Sequence, residues 1–193
     1  MSVVWKNVVI AGLLAAAAAS QGRVEGRGAA RRFVSQKYRF SMAVPAGWAV
    51  STRLETPVFF YDPFSERFVQ DHIPRGGAVI TVEPQDTASR PARSATTPEA
   101  WALADTRAFA TNNPAIEPLR MPTESGIARA VGCSYDEPPD SPDQQTQHSV
   151  AIFWEFNQKL FAAHLNYNAN DSNGPTLEKV LLDAVRSIRP LKK

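Results

Sequence analysis

Apolar and polar positions alternate from Tyr38 onward: Tyr38, Phe40, Met42 and Val44 fall on one side, Arg39, Ser41 and Ala43 on the other. Period two with one apolar side predicts a half-buried strand. Pro45-Ala46-Gly47 is turn chemistry. Trp48 and Val50 resume the alternation, so the stretch reads as strand, turn, strand. The run "TPVFFYDP" supplies a further apolar segment closed by Asp62-Pro63, and "GGAVITVEP" a strand fenced by glycines in front and Pro84 behind. Residues 84–98 then scatter into Pro, Ser, Thr, Ala and Arg, which predicts an exposed loop.

Thr97-Pro98-Glu99 is a helix start: a capping hydroxyl, proline at the first helical position and an acid in the first turn. That helix runs through Trp101 and Phe109 and stops near Asn112-Asn113-Pro114. In "SGIARAVGCSY", Ile127, Val131, Cys133 and Tyr135 share one side of a strand. Only small residues line the other, which suits close packing by a helix. "HSVAIFWEFNQKLFAAHLNY" is a hairpin. Pairing Phe156 with Lys159 places Val150, Ile152, Trp154, Phe161, Ala163, Leu165 and Tyr167 on one face, with the turn at Asn157-Gln158. The other face carries Ala151, Phe153, Leu160 and Ala162, so cover on both faces is expected. After "NANDSNGP", capped by Asp171, Ser172 or Asn173, Leu177, Val180, Leu181, Ala184, Val185 and Ile188 give the stripe of an amphipathic helix that Pro190 ends.

This order, with "Y-x-F-x-M-x-V-P-x-G-W" at its head, a long hairpin and a last helix closing on "VRSIRP", resembles the PsbP-like superfamily over residues 38–190. The superfamily takes its name from an extrinsic subunit of photosystem II. It includes a nuclear-import factor that acts on Ran and many uncharacterised exported bacterial proteins. The resemblance implies an α+β fold, an antiparallel sheet flanked by helices on both faces (an α/β/α sandwich), and usually no enzymatic role.

The first residues change the picture of where the protein works. "MSVVWKNVVIAGLLAAAAASQG" has an early cation, Lys6, an apolar run from Val8 to Ala19 and a small-residue exit, the layout of a signal peptide over residues 1–20. The run is short for a membrane span. The expectation is export to the periplasm or beyond, with an uncleaved tether as the alternative. Residues 21–37 carry Arg23, Arg27, Arg31, Arg32 and Lys37 against Glu25 alone, with three glycines, and read as a flexible basic linker. The domain proper is then 38–190.

Composition adds little: 193 residues, 44% hydrophobic, 21% charged and a net charge of +2 give no reason to expect nucleic acid. Cys133 stands alone, so the fold holds without an internal disulfide. Its strand partners predict a buried, inert thiol. There is no G-x-S-x-G elbow, Walker loop, dinucleotide fingerprint or H-E-x-x-H. The hairpin register sends His148 and His164 to opposite faces, against a shared metal. No cofactor is expected.

One loop holds weak ligand chemistry: Asp71, His72 and Arg75 just before Gly76 and Gly77, where backbone N–H groups and Arg75 would hold an anion. The leading expectation is an exported, monomeric, non-catalytic accessory module. It binds an unknown protein or envelope component through a sheet edge or loop, with no stable membrane span once the signal is cut. Two alternatives stay open: a small-ligand binder with a pocket between sheet and helix, and an enzyme with an unfamiliar site using His72, or His164 with a nearby carboxylate.

Overall fold

The computed structural model describes residues 22–61, 73, 76–88, 90–139 and 145–192. Two antiparallel sheets dominate. The smaller has the order β1-β2-β3-β11, with β1 Arg23–Glu25, β2 Arg32–Ser35, β3 Phe40–Ala43 and β11 Arg189–Pro190. The larger has the order β4-β5-β6-β10-β9-β8-β7. Its strands are β4 Ala49–Ser51, β5 Val58–Tyr61, β6 Ala78–Pro84, β7 Glu117–Pro118, β8 Ile127–Glu137, β9 Gln147–Phe156 and β10 Lys159–Asn168. A single helical turn α1 (Arg90–Arg93) and helices α2 (Pro98–Phe109) and α3 (Gly174–Arg186) complete an α+β fold.

The β9–β10 hairpin has the expected register, Phe156 opposite Lys159, His148 opposite Tyr167 and His164 opposite Ala151. Asn157 and Gln158 both take positive φ, 50° and 60°, as a two-residue hairpin turn requires. Alternation along β9 feeds two cores. Ala151 and Phe153 join Val131, Cys133, Tyr135, Leu160 and Ala162 with Trp101 and Ala102 of α2. Ile152, Trp154 and Phe156 join Leu177, Leu181, Ala184 and Val185 of α3. The small sheet shares this second core through Phe33, Phe40 and Met42, so helices alone do not fill it.

The opening motif is architecture. Trp48 N–H donates to the carbonyl of Pro45 at 3.1 Å, Gly47 supplies φ +79°, and Trp48 is 3% exposed, its ring stacked on Tyr61. Thr97 caps α2 as expected, its Oγ1 accepting from Ala100 N–H at 3.2 Å.

Several expectations are corrected. Residues 22–37 are not a flexible linker: β1 and β2 lie within them, and Phe33 is fully buried. Two of the arginines that gave the segment its linker-like composition are structural, while Arg23 and Arg27 stay exposed. Arg31 donates to the carbonyl of Trp48 at 2.7 Å, and Arg32 to those of Ser41 and Ser187. Residues 84–98 are not all exposed loop. A 3-10 turn (Gln85–Thr87) and α1 bury Ala88 and Ala92, and the Gln85 amide bonds the carbonyls of Ala92 and Arg93. Helix α2 packs on the large-residue side of β8. The small side is met by Leu119, whose Cδ1 would lie 3.0 Å from a Cβ added to Gly132. A bulge between Ile127 and Arg129 moves Ile127 to the other core, away from Val131. Asn173 occupies the N-cap of α3 without a side-chain bond, while Asp171 Oδ1 accepts from Asn173 N–H at 2.9 Å. That helix ends at Arg186, and Pro190 pairs with Phe40 in the small sheet instead of stopping it.

Truncating Phe33 tests the place of residues 22–37 in the fold. Phe33→Ala removes a fully buried ring and is expected to cost about 3–5 kcal/mol in urea denaturation. A loss near zero would return the segment to the status of a linker.

Candidate functional site

Period two along β6, β10 and β8 gathers polar groups on the face that α2 covers. β6 brings Glu83, β10 brings His164 and β8 brings Tyr135, while α2 lowers Asp105 onto them. Asp105 lies on the buried stripe Pro98, Trp101, Ala102, Asp105, Thr106, so the helix's own packing carries a carboxylate to the sheet. Tyr135 Oη donates to Asp105 Oδ2 at 2.7 Å. The His164 ring sits between two carboxylates, Nδ1 3.9 Å from Asp105 Oδ2 and Nε2 3.5 Å from Glu83 Oε1, with its edge against Phe153.

Burial alone would lower the pKa of His164, but Asp105 and then Glu83 outweigh it and push the imidazole up to about 9. Burial raises the carboxyl of Asp105, opposed by His164 and by the Tyr135 hydrogen bond. Burial, then Asp105, raises the phenol of Tyr135 and keeps it a donor. His164 is therefore an imidazolium at neutral pH, without the free lone pair that a general base or metal ligand needs.

On the opposite face His148 Nδ1 lies 2.6 Å from Asp136 Oδ1, and Tyr167 Oη donates to Glu178 Oε1 at 3.0 Å. The two histidines are thus held apart by the sheet. Among the described residues no three His, Cys, Asp or Glu side chains converge in a metal-holding group. Cys133 is buried under α2, and burial, then Asp105, pushes its thiol up to about 12.

Of the loop singled out in the sequence, Asp71, His72 and Arg75 lie outside the described residues. Gly76, at φ +83°, and Gly77 lead into β6. His164 with a nearby carboxylate belongs to the enzyme alternative, but its companions Asp105, Glu83 and Tyr135 were not identified from the sequence. One signal was available: Asp105 falls four residues after Trp101, on the core side of an otherwise apolar helix face. The position of Glu83 beside His164 depends on β6 pairing with β10, which no local pattern encodes.

No family model matches the chain, and no curated protein matches it. Among solved structures it is similar to LpqN of Mycobacterium tuberculosis, involved in cell envelope biogenesis. The identity is 13% and the TM-score 0.49, over 79% of this chain and 83% of that one. It is also similar to PA94 of Pseudomonas aeruginosa, a protein of unknown function, with 11% identity and TM-score 0.45 over 90% of this chain and all of that one. Both likenesses are loose. No described helix is long and apolar enough to cross a membrane.

The cluster has a pH signature. The folded value of His164, about 9, lies above that of an unfolded histidine, about 6.5, so its contribution to stability is complete below the lower value and is lost as pH rises through the higher. Tm is expected to fall from about pH 7 to about pH 10. His164→Gln should remove the histidine-dependent part of that slope; identical slopes would remove the ion pair from the account. Cys133 should react with iodoacetamide about a thousandfold more slowly in the folded protein than in urea, because so little thiolate forms. Comparable rates in both states would refute its burial.

Proposed function

We propose that this chain is an exported accessory module of PsbP-like type, with helices on both faces of its large sheet. It binds a protein partner or envelope component and catalyses no reaction of its own. The observation that supports this reading is the closed charge cluster around His164. His164, the histidine that α2 covers, is engaged by Asp105 and Glu83 and stays protonated. A site built for turnover keeps its base poised near neutral pH and open to substrate. This one is tuned away from neutrality and roofed by α2. Its work is to dock a helix on a sheet.

Native mass spectrometry of the protein purified from its host's envelope fraction tests the reading. The expected result is a chain beginning after Ala19 or Ser20, carrying a protein partner in fixed stoichiometry, with no turnover across hydrolase substrate panels. A turnover that is lost in His164→Ala or His72→Ala while the fold persists would overturn it and promote the enzyme alternative.

A further inference from the structure

Cations gather at one end of the molecule. The turn between β2 and β3 supplies Lys37 and Arg39, and the turn between β9 and β10 leads into Lys159. The C-terminal segment adds Lys192, and the loop between β4 and β5 adds Arg53; all five are exposed. Tertiary contacts draw these segments together. Leu191 N–H donates to the carbonyl of Arg39 at 2.9 Å, and Arg39 Nη2 to that of Lys192 at 3.1 Å. The ammonium groups of Lys37 and Lys159 converge on the ring of Tyr38, 5.0 and 5.4 Å from its centroid. Among the described residues none of the five cations lies within ion-pair distance of a carboxylate. Only Glu55 and Asp86 extend their field to Lys37. Between the turns lies an open depression of about 700 Å³ lined by Arg39, Asn157, Pro190 and Leu191.

The chain enters the fold at this same end. Gly22 N–H donates to the carbonyl of Leu54, in the loop that carries Arg53, at 3.2 Å. The sequence before Gly22 holds the apolar run Val8–Ala19. That run thus leads into the fold beside the exposed cations, and a cut after Ala19 or Ser20 leaves the mature chain beginning at this same end. Five converging cations repel one another and gain most from a surface of opposite sign that spans them all.

We propose that this end is a docking face for the anionic surface of a lipid bilayer. Lys37, Arg39, Arg53, Lys159 and Lys192 rest on the headgroup phosphates, and the exposed end of the small sheet faces the membrane. Each cation near such a surface is worth about fivefold in partitioning, and salt weakens the whole. The face is separate from the His164 cluster. A failure to find a protein partner leaves this proposal standing, and the reverse also holds.

Flotation of the mature chain, beginning at Gln21, with vesicles tests it. Phosphatidylcholine vesicles measure what the chain binds without surface charge, and vesicles that also contain phosphatidylglycerol measure the added charge effect. Binding is expected to be stronger to the phosphatidylglycerol vesicles and to weaken with salt. It should drop at least about 25-fold in the Lys37→Glu, Lys159→Glu double variant, which removes two cations. It should persist in Arg107→Glu, which alters an exposed arginine in the last turn of α2, away from this face. The double variant with glutamine at both positions repeats the loss if the glutamate form folds poorly by circular dichroism. Equal binding to both kinds of vesicle, or a charge effect unchanged in the double variants, overturns the proposal.

Discussion

The register of the β9–β10 hairpin is the constraint on which the rest depends. Side chains alternate between faces, so a slip of one residue would exchange the two sets. With Phe156 opposite Lys159, the set Ile152, Trp154, Phe161 and Leu165 meets α3 and the small sheet, while Ala151, Phe153 and Ala162 meet α2. The aromatic members fix the core under α3 further: Trp154 stacks on Phe161 at 5.7 Å, and Phe40 meets the edges of Phe156 and Phe161. The turn holds the register by paying for two left-handed residues, Asn157 and Gln158, which lack the freedom of glycine.

The same register sets the electrostatics. It places His164 on the α2 face beside β6, where Glu83 and Asp105 reach it, and keeps His148 on the other face with Asp136. A buried carboxylate on α2 would be costly alone. Tyr135 and His164 offset that cost and give the helix one orientation on the sheet. At the other extreme, Lys37 and Lys159 approach each other on the Tyr38 ring because the β2–β3 and β9–β10 turns end at the same level. The α3 helix fits this arrangement: Arg186 lies in its last turn, and Arg32 and Arg189 donate to carbonyls at its C-terminal end, where its dipole is negative.

What the sequence by itself determined was local. The hairpin and its turn, the Thr97 cap, the turn before Trp48 and the amphipathic α3 follow from periods and turn residues within a few positions of one another. The burial of Cys133 follows equally from its apolar neighbours in the strand. The linker reading of residues 22–37 went wrong because composition cannot show where an arginine's donors go. Arg31 and Arg32 bond carbonyls far along the chain, at Trp48 and Ser187, and Phe33 finds its core across both sheets.

Tertiary structure alone decided the two features with functional weight. Glu83, Asp105, Tyr135 and His164 come from four separate elements, and the cations of the basic end from four separate segments. Neither grouping has a sequence spacing, because strand pairing and helix docking bring the members together. A charge in the sequence is a residue type; its acidity, partners and exposed field are properties of the place to which the fold carries it.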